Sequence, residues 1–234
     1  MNRHVSLPFS LLWAVVPLAV YAQSLSWPQP HLPEDAVLTS PGESMKINGV
    51  PTRILRFQTE ASIEQVRQLF AASVRSLTAA PAAAVMRGRL TLGGRAGDFW
   101  ETIQMSRVGS QTVGTWSVTP QFVPGAHQPV VRPPGFPESA QLLQSIDSYD
   151  AGKHSELMIG RDPAPIDGLA AQIDASLRSM GYAPTPLMKP HWNGSDQYVA
   201  LYGKGREEMQ VTLRAESGST TVMVNRLTAL ETLQ

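Results

Sequence analysis

The chain has 234 residues, of which 42% are hydrophobic and 16% charged, and this apolar share is enough for a packed core. Its nineteen Lys and Arg residues balance nineteen Asp and Glu residues, and the sequence has no basic stripe, which argues against nucleic-acid binding. The absence of cysteine excludes disulfides, thiol catalysis and zinc–thiolate sites.

The first 22 residues follow the three-part pattern of a secretory signal peptide. A short start containing Arg3 precedes an apolar stretch, and Val20-Tyr21-Ala22 then supplies residues that a signal peptidase tolerates. The apolar stretch is only about half of the ~20 residues that span a bilayer, and Pro17 interrupts it. We predict that residues 1–22 are removed after Ala22, leaving no stable membrane insertion; an uncleaved membrane anchor is the alternative.

The predicted export, combined with the lack of cysteine, points to a bacterial envelope. Exported eukaryotic domains of small size tend to be rich in disulfides, which this chain cannot form. We therefore predict a periplasmic or secreted bacterial protein.

A proline-rich arm, residues 23–43, follows the predicted cleavage site. It contains Trp27 between prolines and polar residues. Trp27 could anchor the arm to a partner protein or pack across the first folded module, and we favour packing.

The most informative pattern is an internal duplication at an offset of 103 residues. Apolar residues at 63, 66, 70, 74 and 77 recur at 166, 169, 173, 177 and 180. Each set forms one stripe on a helix with 3.6 residues per turn. Ser62 is a suitable N-cap for the first helix, Pro165 suits the start of the second, and Gly181 suits its end.

Strand patterns flank both predicted helices. Segments 52–58 and 155–160 precede them, and alternating segments at 102–118 and 210–225 follow as hairpins, at an offset of 108. A further strand in each copy, near Val85–Leu92 and Gln197–Tyr202, is predicted to end at Gly93-Gly94 and at Gly203-Lys204-Gly205. Each unit reads strand, helix, strand, strand, strand.

These patterns predict an α+β fold of two tandem related modules, each with one helix packed on a small, mainly antiparallel sheet. The modules span residues 44–119 and 139–234. A proline-rich segment, residues 120–138, separates them and is predicted to be a semi-rigid linker, with a docking motif for an aromatic groove as the alternative. We interpret the last strand, which contains Thr220 and Val222, as a sheet edge at which a partner strand could pair.

One polar segment is a candidate for chemistry. If residues 153–159 form a strand, His154 and Glu156 share one face, and Asp150 could supply a third metal ligand. A solvated strand face is the preferred interpretation. His191 has no spaced partner, and His127 lies in the proline-rich segment. Neither a nucleophile elbow nor a phosphate-binding loop is present in the sequence. We therefore predict no catalytic, cofactor-binding or metal residues.

The expected function is that of a non-enzymatic extracytoplasmic interaction protein. We expect a protein partner and a role as accessory or adaptor of a bacterial envelope assembly, such as a secretion, pilus or surface structure. The alternative is a periplasmic protein that binds a small molecule or lipid between the modules. A hydrolase is the third hypothesis.

Overall fold

The computed structural model describes residues 26–74, 82–86, 88–122, 130–185 and 197–230. The predicted signal peptide and its cleavage site, together with His127, His191 and Leu77, lie outside the described residues.

Strands dominate the described chain. The first elements in chain order are β1 (Val37–Thr39), β2 (Ser44–Ile47), β3 (Val50–Pro51), β4 (Arg53–Thr59), α1 (Ile63–Val74), β5 (Ala82–Met86), β6 (Arg89–Ala96), β7 (Phe99–Val108) and β8 (Gln111–Pro120). They are followed by β9 (Gln141–Asp150), β10 (Lys153–Asp162), α2 (Ile166–Ser179), β11 (Ala183–Pro184), β12 (Gln197–Lys204), β13 (Glu207–Glu216) and β14 (Ser219–Ala229).

The strands form two antiparallel sheets. The first sheet has six strands in the order β1-β4-β8-β7-β6-β5. The second has eight strands in the order β11-β12-β13-β14-β10-β9-β2-β3. The predicted α+β class with mainly antiparallel sheets is confirmed.

The two sheets share a strand order and a register around their helices. The order β4-β8-β7-β6 in the first sheet matches β10-β14-β13-β12 in the second. Leu55 lies opposite Trp116, and the corresponding pair in the second sheet is Met158 and Val224. Leu55 and Met158, which precede the helices, are 103 residues apart, and Trp116 and Val224, which follow them, are 108 residues apart. These are the two offsets seen in the sequence patterns.

Each helix buries its apolar stripe against its own sheet. Val66, Phe70 and Val74 of α1 pack with Leu55, Phe57 and Trp116, as predicted from the stripe. The corresponding core of the second sheet takes Leu169, Ile173 and Leu177 from α2. Met180, the fifth residue of the second stripe, lies beyond the end of α2 and is 37% exposed.

Local hydrogen bonds fix where the helices begin and end. The Gln65 backbone N–H donates to Ser62 Oγ (3.2 Å), and the Ser62 N–H donates to Gln65 Oε1 (2.8 Å), so the predicted N-cap residue forms a capping box. After α2, Gly181 has a φ of +86° and Tyr182 N–H donates to the Leu177 carbonyl (3.0 Å). Glycine allows this left-handed turn without strain, which explains why α2 ends there.

The strand predicted near Val85–Leu92 is in fact two strands. β5 and β6 form a hairpin whose turn contains Gly88, at a φ of +74°, and Gly93 lies inside β6 opposite Thr102. The predicted end of the strand at Gly93-Gly94 was therefore wrong. A glycine pair inside a strand resembles a turn signal in sequence, whereas the described glycine of the real turn is Gly88.

The last strand is not an edge. β14 lies between β13 and β10, so the interpretation of Thr220 and Val222 as a pairing edge was wrong. In the described part of the chain, the edge strands are β1 and β5 in the first sheet and β3 and β11 in the second.

Residues 44–51, which the sequence interpretation assigned to the first module, lie in the second sheet. β2 pairs with β9, and its hairpin with β3 turns at Asn48 and Gly49, both with positive φ. Asn48 Oδ1 accepts a hydrogen bond from the Ser145 N–H (2.8 Å). The chain then continues through Thr52 directly into β4, so this segment contributes strands to both sheets.

The proline-rich segments are partly packed. Trp27 lies against the first core with its ring 5.6 Å from that of Phe99, which confirms the predicted packing of the arm. Phe136, within the predicted linker, is 6% exposed and belongs to the second core. Gly160 makes room for it, because a Cβ at that position would lie 2.6 Å from the Phe136 ring.

Replacing Phe70 or Ile173 by alanine should lower the free energy of unfolding by about 2–5 kcal/mol, because each change removes a large side chain from a closed core. Urea denaturation of the two variants measures this. Leu69→Ala, at a 41% exposed position of α1, is the matched control and should cost less than about 1 kcal/mol. An equal loss of unfolding free energy in Leu69→Ala and Phe70→Ala would contradict the assignment of which face of α1 is buried.

Candidate functional site

A row of four charges crosses the second sheet. Lys46 on β2 lies opposite Asp147 on β9, Asp147 lies opposite Glu156 on β10, and Glu156 lies opposite Arg226 on β14. Two carboxylates are therefore direct cross-strand neighbours, an arrangement that is unfavourable without compensating positive charge. We call Asp147, His154, Glu156 and Arg226 the polar cluster.

His154 contacts one of these carboxylates. Its Nε2 lies 3.2 Å from Asp147 Oδ2, and its ring stacks on Tyr149 with centroids 4.3 Å apart and planes 5° apart. Tyr149 is the residue directly opposite His154 in the β9–β10 pair. The His154 side chain is only 18% exposed, so the predicted solvated strand face is drier than expected at this residue.

Arg226 compensates the other carboxylate. Its Nε donates to Glu156 Oε2 over 2.6 Å, and its Nη2 contacts the same oxygen. Burial opposes the charge on Arg226, yet the hydrogen bond and charge of Glu156, with a further contribution from Glu207, leave the pKa of Arg226 raised. Arg226 is therefore a permanent cation of the cluster.

A tyrosine–carboxylate pair borders the cluster at the end of α2. The Tyr182 hydroxyl donates to Glu207 Oε2, and Lys204 Nζ lies 5.4 Å from the Tyr182 ring centroid. Burial, followed by the hydrogen bond to Glu207, raises the pKa of Tyr182 to about 12. Tyr182 consequently stays neutral at physiological pH and acts as a hydrogen-bond donor.

The polar cluster has the atoms of a metal site but also an internal explanation. One ligand atom each from Asp147, His154 and Glu156 lies within 4.8 Å of the others. Asp147, rather than the predicted Asp150, is the third residue, because the turn after Asp150 pairs it with Lys153 and places Asp147 opposite Glu156. Each carboxylate already has a positive or neutral nitrogen partner, so we interpret the cluster as a structural charge network.

A buried carboxyl group in the first sheet was missed from the sequence. Glu101 on β7 is 2% exposed and accepts a hydrogen bond from Trp116 Nε1 (3.1 Å). Burial raises the pKa of Glu101, while the Trp116 hydrogen bond and the charge of His31 act in the opposite direction. The alternation that faces Ile103 and Met105 inwards includes position 101, and this signal could have identified it.

A shallow depression lies on the second sheet. It has a volume of about 370 Å³ and is lined by Thr185, Leu201, Lys204, Glu208 and Leu227, among others. Its described lining comes from β11 to β14 and their turns, so it does not lie between the two sheets. Within the described ranges, no helix is long and apolar enough to cross a membrane.

Comparisons of the chain with protein-family models, with curated proteins and with solved structures find no match. Function must therefore be inferred from the chain's own geometry.

Replacing His154 and Glu156 together by alanine should lower the free energy of unfolding by about 1–3 kcal/mol, because Arg226 loses its carboxylate. Urea denaturation measures the loss. Glu156→Ala combined with Arg226→Met is the control and should recover part of the stability, since it leaves no arginine without its carboxylate partner. A rise in Tm on adding Zn²⁺ that disappears in the His154/Glu156 variant would contradict the structural interpretation.

Replacing Glu101 by glutamine should stabilise the fold increasingly as pH rises. A raised pKa means that the folded chain holds the Glu101 proton more tightly than the unfolded chain, so this contribution to stability is complete below pH ~4 and is lost as pH rises through the folded value. The difference in unfolding free energy between Glu101→Gln and the natural chain should therefore widen in favour of the variant from pH 4 to pH 7. Urea denaturation across this range tests it, with the exposed Glu60→Gln as control; a flat difference would refute it.

Proposed function

We propose that the chain is a non-enzymatic, extracytoplasmic interaction protein that serves a bacterial envelope assembly as accessory or adaptor. It acts after removal of residues 1–22, in the periplasm or as a secreted protein. It is built from two tandem related modules and recruits a protein partner by backbone pairing at one sheet edge.

The shared register supports the tandem repeat. The tight turn at Asn48-Gly49 and the one at Ala151-Gly152 are also 103 residues apart, and all four residues have positive φ. On this correspondence β1 and β2 together take the place of β9, while β3 and β4 take the place of β10. Each module then reads hairpin, helix, hairpin, hairpin, with the first module contributing its β2–β3 hairpin to the second sheet.

The β5 edge is the observation that carries the proposal. Among the described residues β5 pairs with β6 alone, and the side chains of residues 82–85 are all exposed, with Val85 at 73%. The sequence of β5 is Ala-Ala-Ala-Val-Met, without a charge or a proline. Such an uncharged edge strand is a template for pairing with another chain.

The register of the hairpin identifies the free backbone groups. Met86 and Arg89 flank a two-residue turn, and they form a hydrogen-bonded pair in such a hairpin. Hydrogen-bonded and non-bonded pairs alternate along an antiparallel ladder, so the N–H and C=O groups of Ala84 point towards β6. Those of Ala83 and Val85 point away from the sheet and can accept an added strand.

The other edges are less suited to recruitment. β11 and β3 have two residues each, and each contains a proline, while β1 has three residues. Short strands and prolines are the usual protection of an edge against pairing. Among the described strands, β5 alone presents five unprotected edge residues.

Proline at position 85 should abolish partner recruitment without unfolding the chain. Val85→Pro removes an outward N–H, whereas the matched control Ala84→Pro removes an N–H that donates to β6 and should lower the free energy of unfolding by about 1–3 kcal/mol. Partner recruitment is measured by cross-linking the tagged, processed chain in its own envelope fraction. We expect at least a ten-fold loss of the cross-linked partner for Val85→Pro, with unchanged circular dichroism and Tm.

The proposed function would be refuted by a folded Val85→Pro variant that keeps its partner. Circular dichroism must accompany the cross-linking, because only a folded variant decides the question. The Ala84→Pro control shows whether proline in β5 has a measurable effect on the sheet.

A further inference from the structure

We propose that the strand recruited by β5 is β5 of a second copy of this chain, so that two copies join edge to edge about a two-fold axis. This rests on the proposed function, because it names the partner of the same edge.

The free backbone groups of β5 are self-complementary. If Ala84 lies opposite Ala84 of the second copy, Ala83 comes to lie opposite Val85 of the second copy, and Val85 opposite Ala83 of the second copy. These are the residues whose N–H and C=O groups point outwards, so each such pair forms a complete hydrogen-bonded pair. The Ala84 pair at the axis is then a non-hydrogen-bonded pair.

The charges near β5 also permit self-pairing. Residues 82–86 contain no charged side chain, so pairing this strand with its own copy brings no like charges opposite one another within the strand.

The chain already joins two edges in this manner. Met45 on β2 pairs with Ser148 on β9, and these two residues occupy corresponding positions at the offset of 103. The neighbouring pairs, Ser44 with Tyr149 and Lys46 with Asp147, also exchange corresponding positions. A local two-fold axis therefore passes between Met45 and Ser148, and the β2–β9 seam joins equivalent strands of the two proposed modules.

The geometry of the contact limits the assembly to two copies. In the described chain, the edge opposite β5 in the first sheet is the three-residue strand β1, which is too short to continue the pairing. Because β5 pairs with itself, the contact is isologous and closes at a dimer rather than extending into a fibre.

Single cysteines test this register directly, because the natural chain has none. Non-hydrogen-bonded antiparallel pairs bring Cα atoms to about 4.5 Å, within the range that a disulfide accepts. Ala84→Cys should therefore give a disulfide-linked dimer under mild oxidation.

Ala82→Cys, also exposed and on the same strand, is the control for this cross-link. The residue opposite position 82 is Met86 of the second copy, so the two introduced thiols would be separated along the strands by four residues. This separation is about 13 Å, which lies beyond disulfide reach.

We expect Ala84→Cys to cross-link at least ten-fold faster than Ala82→Cys, and analytical ultracentrifugation to show a concentration-dependent dimer that Val85→Pro abolishes. Equal cross-linking rates, or a natural chain that stays monomeric at high concentration, would overturn the proposal. A second outcome separates the dimer from the proposed function. If Ala84→Cys fails to cross-link and Val85→Pro loses a protein other than a second copy, the edge binds a strand of that protein, so the dimer is refuted and the proposed function stands.

If Ala84→Cys cross-links and Val85→Pro still binds another envelope protein, the dimer stands and β5 is refuted as the site that recruits that protein.

Discussion

The pairing of β2 with β9 is the constraint on which the arrangement of the two sheets depends. Four residue pairs connect a segment near the start of the folded chain to the middle of it. The Glu43 N–H also donates to the Tyr149 carbonyl (2.8 Å), and the Thr52 N–H donates to the Met45 carbonyl (2.8 Å), so hydrogen bonding continues on both sides of β2. Without this seam, β2 and β3 would have no sheet to join.

The sequence predicted those parts of the fold that depend on local periodicity. The stripes of α1 and α2 identified their buried residues because an amphipathic helix repeats its pattern over several turns. The hairpins β7–β8 and β13–β14 were recognisable from alternation around a glycine-containing turn. The seam could not be predicted in this way, because pairing of β2 with β9 depends on backbone groups about 100 residues apart, which leave no period in the sequence.

The candidate site shows the same division. His154 and Glu156 were placed on one strand face by their spacing, but Asp147 and Arg226 reach them only through the register of two neighbouring strands. Asp150 was predicted as the third metal ligand because it is nearer to His154 in sequence. The two-residue turn instead pairs Asp150 with Lys153 and places Asp147 opposite Glu156. Glu101 was missed because a charged residue in a strand is ordinarily taken to face water, although its alternation with Ile103 and Met105 places it on the inward face.

The β2–β9 seam also bears on the order in which the chain can fold. The turns at Asn48-Gly49 and Ala151-Gly152 bring together residues that are near in sequence, so the entropy cost of closing them is small. In contrast, β2 can pair with β9 only after β9 has been synthesised. In a chain that emerges from its N terminus, the first sheet and its helix are therefore expected to form while the outer side of β2 still lacks a neighbour. During that interval β2 is an unpaired edge of the kind that leads to domain swapping or aggregation. Its short length and the presence of Lys46 are the features that protect it until the second half of the chain arrives.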